Sequence, residues 1–282
     1  MSDTPRPDYL VVVDAGHGET IAAVYNLKTG SRKSLSFPSM RARVTGETMG
    51  LGKEQEHIIR WSEWQGRRYA MGFDALQVRR DNLERHSGET RYGGELQKHL
   101  VAHAQAIAGI KSGSVDLTVF VPPKFYRDLK DSVVKRFLDE TDADGYHVTL
   151  GLMGDKKARR WKYTAVTVLP EGLAGGLILA TNADGTLNKN DLLNSTVIFD
   201  LGMKTCDAVE VSGGKFNPDN LQYATFENEG LREQLFQPLL EDIRAMHRDF
   251  QILTVDDIDL FVREGLTSGR VVVDFAGQQR DV

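Results

Sequence analysis

The feature that most limits what this chain can fold into is an architecture that occurs twice. The apolar run from Tyr9 to Val13 ends in Asp14-Ala15-Gly16. An extended run, TIAAVYNL, follows from Thr20, then a turn at Lys28-Thr29-Gly30, then SLSF closing at Pro38. The second copy opens with TVIF at Thr196 and ends in Asp200-Leu201-Gly202. TCDAVEV follows from Thr205, then a turn at Ser212-Gly213-Gly214, then LQYATF from Leu221. Each copy reads as strand, tight Asp-x-Gly turn, strand, Gly-bearing turn, strand. One copy alone fits an ordinary hairpin. Two copies in matched context predict a duplicated core.

Between and beyond the copies the chain alternates strand and helix. WSEWQGRRYAMG predicts a hairpin turning at Gln65-Gly66, and ELQKHLVAHAQAIAGI, from Glu95, carries apolar residues at helical spacing. VDLTVFV (115–121) is apolar enough for a central strand covered on both faces. A helix over FYRDLKDSVVKRFLDE precedes strands YHVTLGLM and WKYTAVTVL, joined by a polar turn at Gly154-Asp155. PEGLAGGLILA starts a helix at Pro170. EGLREQLFQPLLEDIRAMHRDF reads as a long helix that Pro238 kinks or divides. Thr254 caps a short helix with carboxylates in its first turn, and the tail holds one strand. The expected fold class is α/β, in two halves over residues 1–168 and 169–282, each a mixed sheet flanked by helices.

Composition sets outer limits. A length of 282 residues suffices for one large or two medium domains, and a net charge of −5 gives no global attraction to nucleic acid or anionic membrane. Cys206 is the sole cysteine, which rules out an intrachain disulfide and fits a reducing cytoplasm. The start, MSDTPRPDYLVVVDAG, is not patterned as a signal peptide, and no run approaches the ~18 apolar residues of a membrane span. The expectation is a cytoplasmic protein without a membrane partner.

An Asp-x-Gly hairpin suits a polyphosphate. Small residues let backbone N–H groups approach phosphate oxygens as an anion-binding nest, and the carboxylate holds a hydrated Mg²⁺ that bridges the like charges. Asp14 with Gly16-His17-Gly18 forms one such set, and Asp200 with Gly202-Met203-Lys204-Thr205 the other.

YLVVVDAGHGETIAAVYN resembles the first phosphate loop of the actin, heat-shock chaperone ATPase and sugar-kinase superfamily, whose fold is ribonuclease H-like. TVIFDLGMKTCDAVEV resembles its second loop, with Asp200, Gly202, Thr205 and Asp207 all matching. VLPEGLAGG (168–176) resembles the connecting motif that carries the catalytic acid, and GRRYAMGFDA, Arg91-Tyr92 and VDLTVFVPPKFY resemble the ParM-like plasmid-segregation actins. The resemblance implies ATP or GTP with Mg²⁺. Asp14 and Asp200 would hold the metal through water. Gly16, His17, Gly18 and Thr20 would meet the phosphates on one side, and Gly202, Met203, Lys204, Thr205 and Asp207 on the other. Glu171 would orient the attacking water, with Asp200 as the second catalytic group, and Gly230 would lie near the nucleoside. A first-turn carboxylate serving only the helix dipole is the plainer role for Glu171.

Two departures stand out. The family's first loop carries a lysine seven residues after the aspartate, where this chain has Ile21. Lys204 would supply the missing charge, unless it is simply a solvent-facing hairpin lysine. The Gly-rich adenosine loop and the helix returning to the first half are not visible, and Ala276-Gly277-Gln278 is a poor substitute.

Other signals carry less. Glu95, His99 and His103 share a helix face, best read as solvated. The basic run KKARRWKY, from Lys156, suits a solvated sheet edge, and Cys206 an inert core thiol. The resemblance thus implies a filament-forming, actin-like ATPase or GTPase that polymerises with itself and positions plasmid DNA through an adaptor protein. Nucleotide binding would favour a closed, assembling state. A nucleotide-independent scaffold with degenerate loops and a metabolite kinase of the same superfold are the alternatives.

Overall fold

The computed structural model describes residues 6–44, 60–76, 78, 83–85, 89–139, 146–152, 155–175, 181–182, 196–212, 215–247, 250–270, 272–275 and 278–281. The expected turns at Gly154 and Gly213-Gly214, the segment 176–180 and Ala276-Gly277 lie outside them. The chain packs as two compact units, residues 1–200 with 207–225, and residues 201–206 with 226–282. This division follows packing, whereas the one at 168/169 follows the duplicated hairpins.

In the first unit, β1 (Tyr9–Ala15), β2 (Glu19–Asn26) and β3 (Arg32–Pro38) form the expected antiparallel meander, with Asp14 opposite Ile21. β4 (Arg41–Arg43) precedes the hairpin of β5 (Trp61–Trp64) and β6 (Arg67–Met71). Gln65 and Gly66 both take positive φ, 48° and 73°, the geometry of a two-residue type I′ turn. Then come α1 (Phe73–Leu76), β7 (Leu83–Glu84), a 3₁₀ turn at Glu89–Arg91, α2 (Glu95–Ala108), β8 (Ser112–Val121), α3 (Pro123–Asp139), β9 (Tyr146–Leu152) and β10 (Asp155–Pro170). The strands make a ten-stranded mixed sheet in the order β3-β2-β1-β8-β10-β9-β5-β6-β4-β7. β8 runs parallel to both β1 and β10.

A second sheet takes β11 (Thr196–Leu201), β12 (Thr205–Ser212) and β13 (Lys215–Phe216) in that order, with β14 (Thr225–Glu227) also on β12. LQYATF is therefore not one strand: Leu221–Tyr223 form a 3₁₀ turn whose Leu221 packs on Val209 and Tyr126. In the other unit the expected long helix is divided. Arg232–Phe236 form a π-helical turn, and α4 (Gln237–Met246) starts afresh with Pro238 in its first turn, where the missing N–H is harmless. α5 (Val255–Ser268) follows a full capping box, in which Thr254 and Asp257 satisfy each other's backbone N–H. The tail makes a hairpin of β15 (Val272–Phe275) and β16 (Gln278–Asp281), two strands rather than the one expected.

Three further expectations are corrected. Helix α2 does not show His99 and His103 to water: His99 is fully buried. Its Nε2 lies 2.7 Å from Ser62 Oγ and its Nδ1 3.2 Å from Arg41 Nη1, with the ring stacked on Trp64. The β5–β6 hairpin closes over that side of the helix, which the helical pattern alone could not foresee. The run KKARRWKY lies on β10, where Arg160–Tyr163 pair with β8 but Lys156–Arg159 pair with β9 alone, so the expected solvated edge holds for its first half and not for its second. The central strand 115–121 is covered unevenly: Val115, Leu117 and Val119 are buried with α2 and α3, while on its other face Phe120 is buried and Asp116 and Thr118 only half-buried. Among the described residues no helix is long and apolar enough to cross a membrane.

Candidate functional site

Parallel pairing brings strand ends together, and that creates the site. Val13 of β1 lies beside Val119 of β8, and Val121 beside Pro170 of β10, so the three carboxyl ends share one edge. Crevices outside the carboxyl ends of parallel strands are the usual ligand sites of such sheets. Asp14 follows Val13 at this edge. Glu171 follows Pro170, and its N–H donates to the Val121 carbonyl at 2.8 Å. Pro170 thus ends a strand rather than opening a helix, and helical residues begin at Leu173.

Gly172 next turns the chain with φ +81°, and a Cβ there would lie 3.5 Å from the Asp200 Cβ and 3.6 Å from Val209 Cγ2. That close approach brings the end of β10 against β11 and β12. The Gly172 N–H donates to the Asp200 carboxylate. Asp207 is buried, and the Thr225 hydroxyl donates to its Oδ1 at 2.6 Å while accepting the Lys124 N–H from the first turn of α3 at 3.1 Å.

Asp14, Glu171, Asp200 and Asp207 repel one another here. Burial, then the charges of Asp200 and Asp207, push the Asp14 carboxyl up to about 7, opposed by Arg91. Glu171 is raised well above the ordinary carboxylate range, first by burial, then by Asp14, Asp207 and Asp200, again opposed by Arg91. Burial raises Asp200, and the Gly172 N–H opposes it. Asp14 Oδ1 is sealed from solvent without a hydrogen-bond partner. A crowded, oxygen-only donor set of this kind fits a hard cation. Among the described residues no three His, Cys, Asp or Glu side chains converge to bind a metal directly.

The hairpin loops themselves match in detail. A Cβ on Gly16 would lie 3.1 Å from the Glu19 carbonyl oxygen, and one on Gly202 would lie 3.3 Å from that of Thr205. Each glycine stands two residues after its aspartate and is pressed by the carbonyl three residues on. Within the other unit, the Gly202 N–H donates to the Thr205 carbonyl at 2.9 Å, and Leu231 and Arg232 donate to the carbonyls of Gly202 and Met203. The Asn228 N–H takes the Lys204 carbonyl at 3.1 Å. Gly230 has no room for a side chain: a Cβ would meet the Lys204 backbone at 2.5 Å and the Met203 carbonyl at 2.6 Å.

The remaining candidates divide. Gly16 and His17 line a small cavity with Ser39, Arg91 and Gln97, and the Gly18 carbonyl accepts the Ser39 N–H at 3.0 Å. The Thr20 side chain is buried 2.9 Å from Ser39 Oγ, opposite Ala15 and so on the face away from Asp14. Ile21 is the residue beside Asp14, 54% exposed. Sequence reasoning missed Arg91 and Tyr92 as site residues. Arg91 is the basic side chain that acts on both Asp14 and Glu171, and the Tyr92 hydroxyl, buried beside Glu171, is pushed far up by burial and by that carboxylate. The Gly93-Gly94 pair ahead of α2 was the available signal, since a Cβ on Gly94 would lie 2.7 Å from the Thr90 carbonyl.

No family model and no curated protein sequence matches this chain. Solved structures do match it in shape. An archaeal actin homolog in complex with ADP superposes with a TM-score of 0.64 at 18% identity, over 96% of this chain and 74% of that one. A 15-stranded ParM filament from Clostridium botulinum gives 0.64 at 17% identity, over 98% and 78%. Bacillus thuringiensis ParM with AMPPNP gives 0.60 at 15% identity, again over 98% and 78%. A large mixed sheet and a second sheet flanked by helices is the arrangement these structures share with it: the chain has the actin fold.

Proposed function

We propose that this chain binds ATP or GTP with Mg²⁺ at the Asp14–Glu171–Asp200–Asp207 crevice and polymerises under control of that nucleotide. The observation that carries the reading is the mutual repulsion of Asp14 and Glu171, at the carboxyl ends of β1 and β10, with Asp200 and Asp207 of the second sheet, beside an aspartate oxygen with no partner. Such crowding is unfavourable unless a cation relieves it. Asp14 and Asp200 would hold Mg²⁺, which would supply positive charge to offset these carboxylates beside the phosphates.

The chain's own residues would then act as follows. Asp14 and Asp200 hold the ion's water shell, and the backbone at Gly16–Gly18 meets the phosphates. Glu171, raised well above the ordinary carboxylate range by burial and by its carboxylate neighbours, would be the residue to accept a proton from a water attacking the terminal phosphate. Head-to-tail contacts that do not close a ring give open filaments. The neighbouring structures include a ParM filament and an AMPPNP complex, which supports self-assembly and a nucleoside triphosphate as ligand. Positioning of plasmid DNA through an adaptor protein, in the cytoplasm, is the role that goes with this reading.

Light scattering and negative-stain microscopy with ATP, GTP or neither test it. Filaments that form only with nucleotide, with phosphate released in the absence of any acceptor, are expected. Filaments indifferent to nucleotide would point instead to a scaffold with degenerate loops, and turnover only with an added metabolite to a kinase.

A further inference from the structure

We propose that Arg91 is the positioning residue of the first phosphate hairpin: it turns the Gly16 amide outward and supplies the positive charge that position 21 lacks. The inference rests on the nucleotide reading above and goes beyond it, because Arg91 lies 76 residues from Ala15 on a different element.

The 3₁₀ turn Glu89–Arg91 ends in two glycines that let α2 start at once. Gly93 has φ +68°, the Gly94 N–H donates to the Arg91 carbonyl at 2.9 Å, and the Arg136 guanidinium holds the Tyr92 carbonyl at 2.8 Å. This fixed segment delivers the Arg91 side chain beneath the hairpin, 5% exposed, with its guanidinium carbon 5.2 Å from the centre of the Tyr92 ring. Arg91 Nη2 donates to the Ala15 carbonyl. A trans peptide is planar, and its C=O and N–H point in opposite directions. Holding the Ala15 carbonyl on the guanidinium therefore directs the Gly16 N–H away from it.

Arg91 Nη1 is sealed from solvent with no partner, as is Gln97 Nε2, and both residues line a cavity of about 10 Å³ with Gly16, His17 and Ser39. That volume admits about one water molecule and excludes a phosphate group. Arg91 therefore acts through the hairpin and through its field rather than by touching the ligand. A buried charge acts through a lower effective dielectric than a solvated one, so its field on the crevice is correspondingly stronger. Ile21, paired opposite Asp14 where the resembling loops carry lysine, contributes none.

The test is equilibrium binding of Mg²⁺-ATP or Mg²⁺-GTP, whichever the wild type prefers, and of the matching monophosphate. Arg91→Met is expected to weaken the triphosphate about 10–100-fold, the loss typical of a charged hydrogen bond, and the monophosphate by much less. Arg91→Lys, which keeps the charge without the planar fork, should fall between. Adding Ile21→Lys to Arg91→Met should recover part of the triphosphate affinity. An unchanged ratio of the two affinities in Arg91→Met overturns the inference, and so does an equal loss of both with a lowered melting temperature, the mark of a merely structural role. If Arg91→Met does not fold, Arg91→Lys decides alone, with a severalfold loss in the ratio expected and no change fatal. Wild type that binds neither nucleotide removes the nucleotide reading itself, and this inference with it.

Discussion

Asp14 stands where stability and function oppose each other. Its carboxyl is raised to about 7 from an ordinary 3.8, so the folded chain holds the ionised form at a disadvantage. That disadvantage is complete above pH 7 and disappears as pH falls toward 3.8. Asp14→Asn should therefore stabilise the ligand-free protein at pH 8, by roughly 1–3 kcal/mol, with the difference vanishing near pH 4. The same substitution should abolish Mg²⁺-dependent nucleotide binding. Urea titrations at both pH values, beside a nucleotide titration, check the pair of outcomes; a variant less stable than wild type at pH 8 would show that the crevice is not strained by charge.

At the scale of elements, the second hairpin and the turn that leads into α4 are built onto each other. The carbonyls of Gly202, Met203 and Lys204 are all taken by backbone N–H groups between Asn228 and Arg232, and Gly230 sits at the closest approach. Gly230→Ala forces a Cβ into backbone atoms 2.5 Å and 2.6 Å away, which cannot be relieved by a rotamer change. A loss of about 2–4 kcal/mol is expected from such overpacking, read as a lowered denaturation midpoint. Gly230 was singled out in the sequence for nearness to a nucleoside; its immediate physical constraint is the hairpin backbone. Legibility at this scale was uneven. The Gln65-Gly66 turn, the Thr254 cap and the division at Pro238 were readable because each is decided by residues within a few positions. The length of β14 was not, because Leu221 leaves the sheet to pack against Val209.

For the whole molecule, the buried side of α2 sets the response to acid. Burial, then the charge of Arg60, lowers His103 to about 3, and burial lowers His99 well below its usual value. Both stay neutral in the folded chain while the unfolded chain takes up protons below about 6.5. Their contribution is thus fully present above pH 6.5 and is lost as pH falls, toward about 3 for His103, by up to ~1.4 kcal/mol per pH unit for each histidine. His103→Gln should flatten the fall in stability between pH 6.5 and 4, whatever its cost at pH 8; an unchanged slope would mean that the ring is hydrated in the fold.

What the sequence determined by itself was local or repeated: the strand–Asp-x-Gly–strand units, the Thr254 cap and the Gln65-Gly66 turn, and the central-strand character of 115–121. Backbone sterics and short-range hydrogen bonds set these, and both are written in neighbouring residues. The tertiary structure alone decided that Asp14, Glu171, Asp200 and Asp207 face one another, that His99 is interior, and that Arg91 reaches the first hairpin from far along the chain. Each of those depends on which strand ends and helix faces meet, a matter of long-range packing that no pattern of nearby residues records.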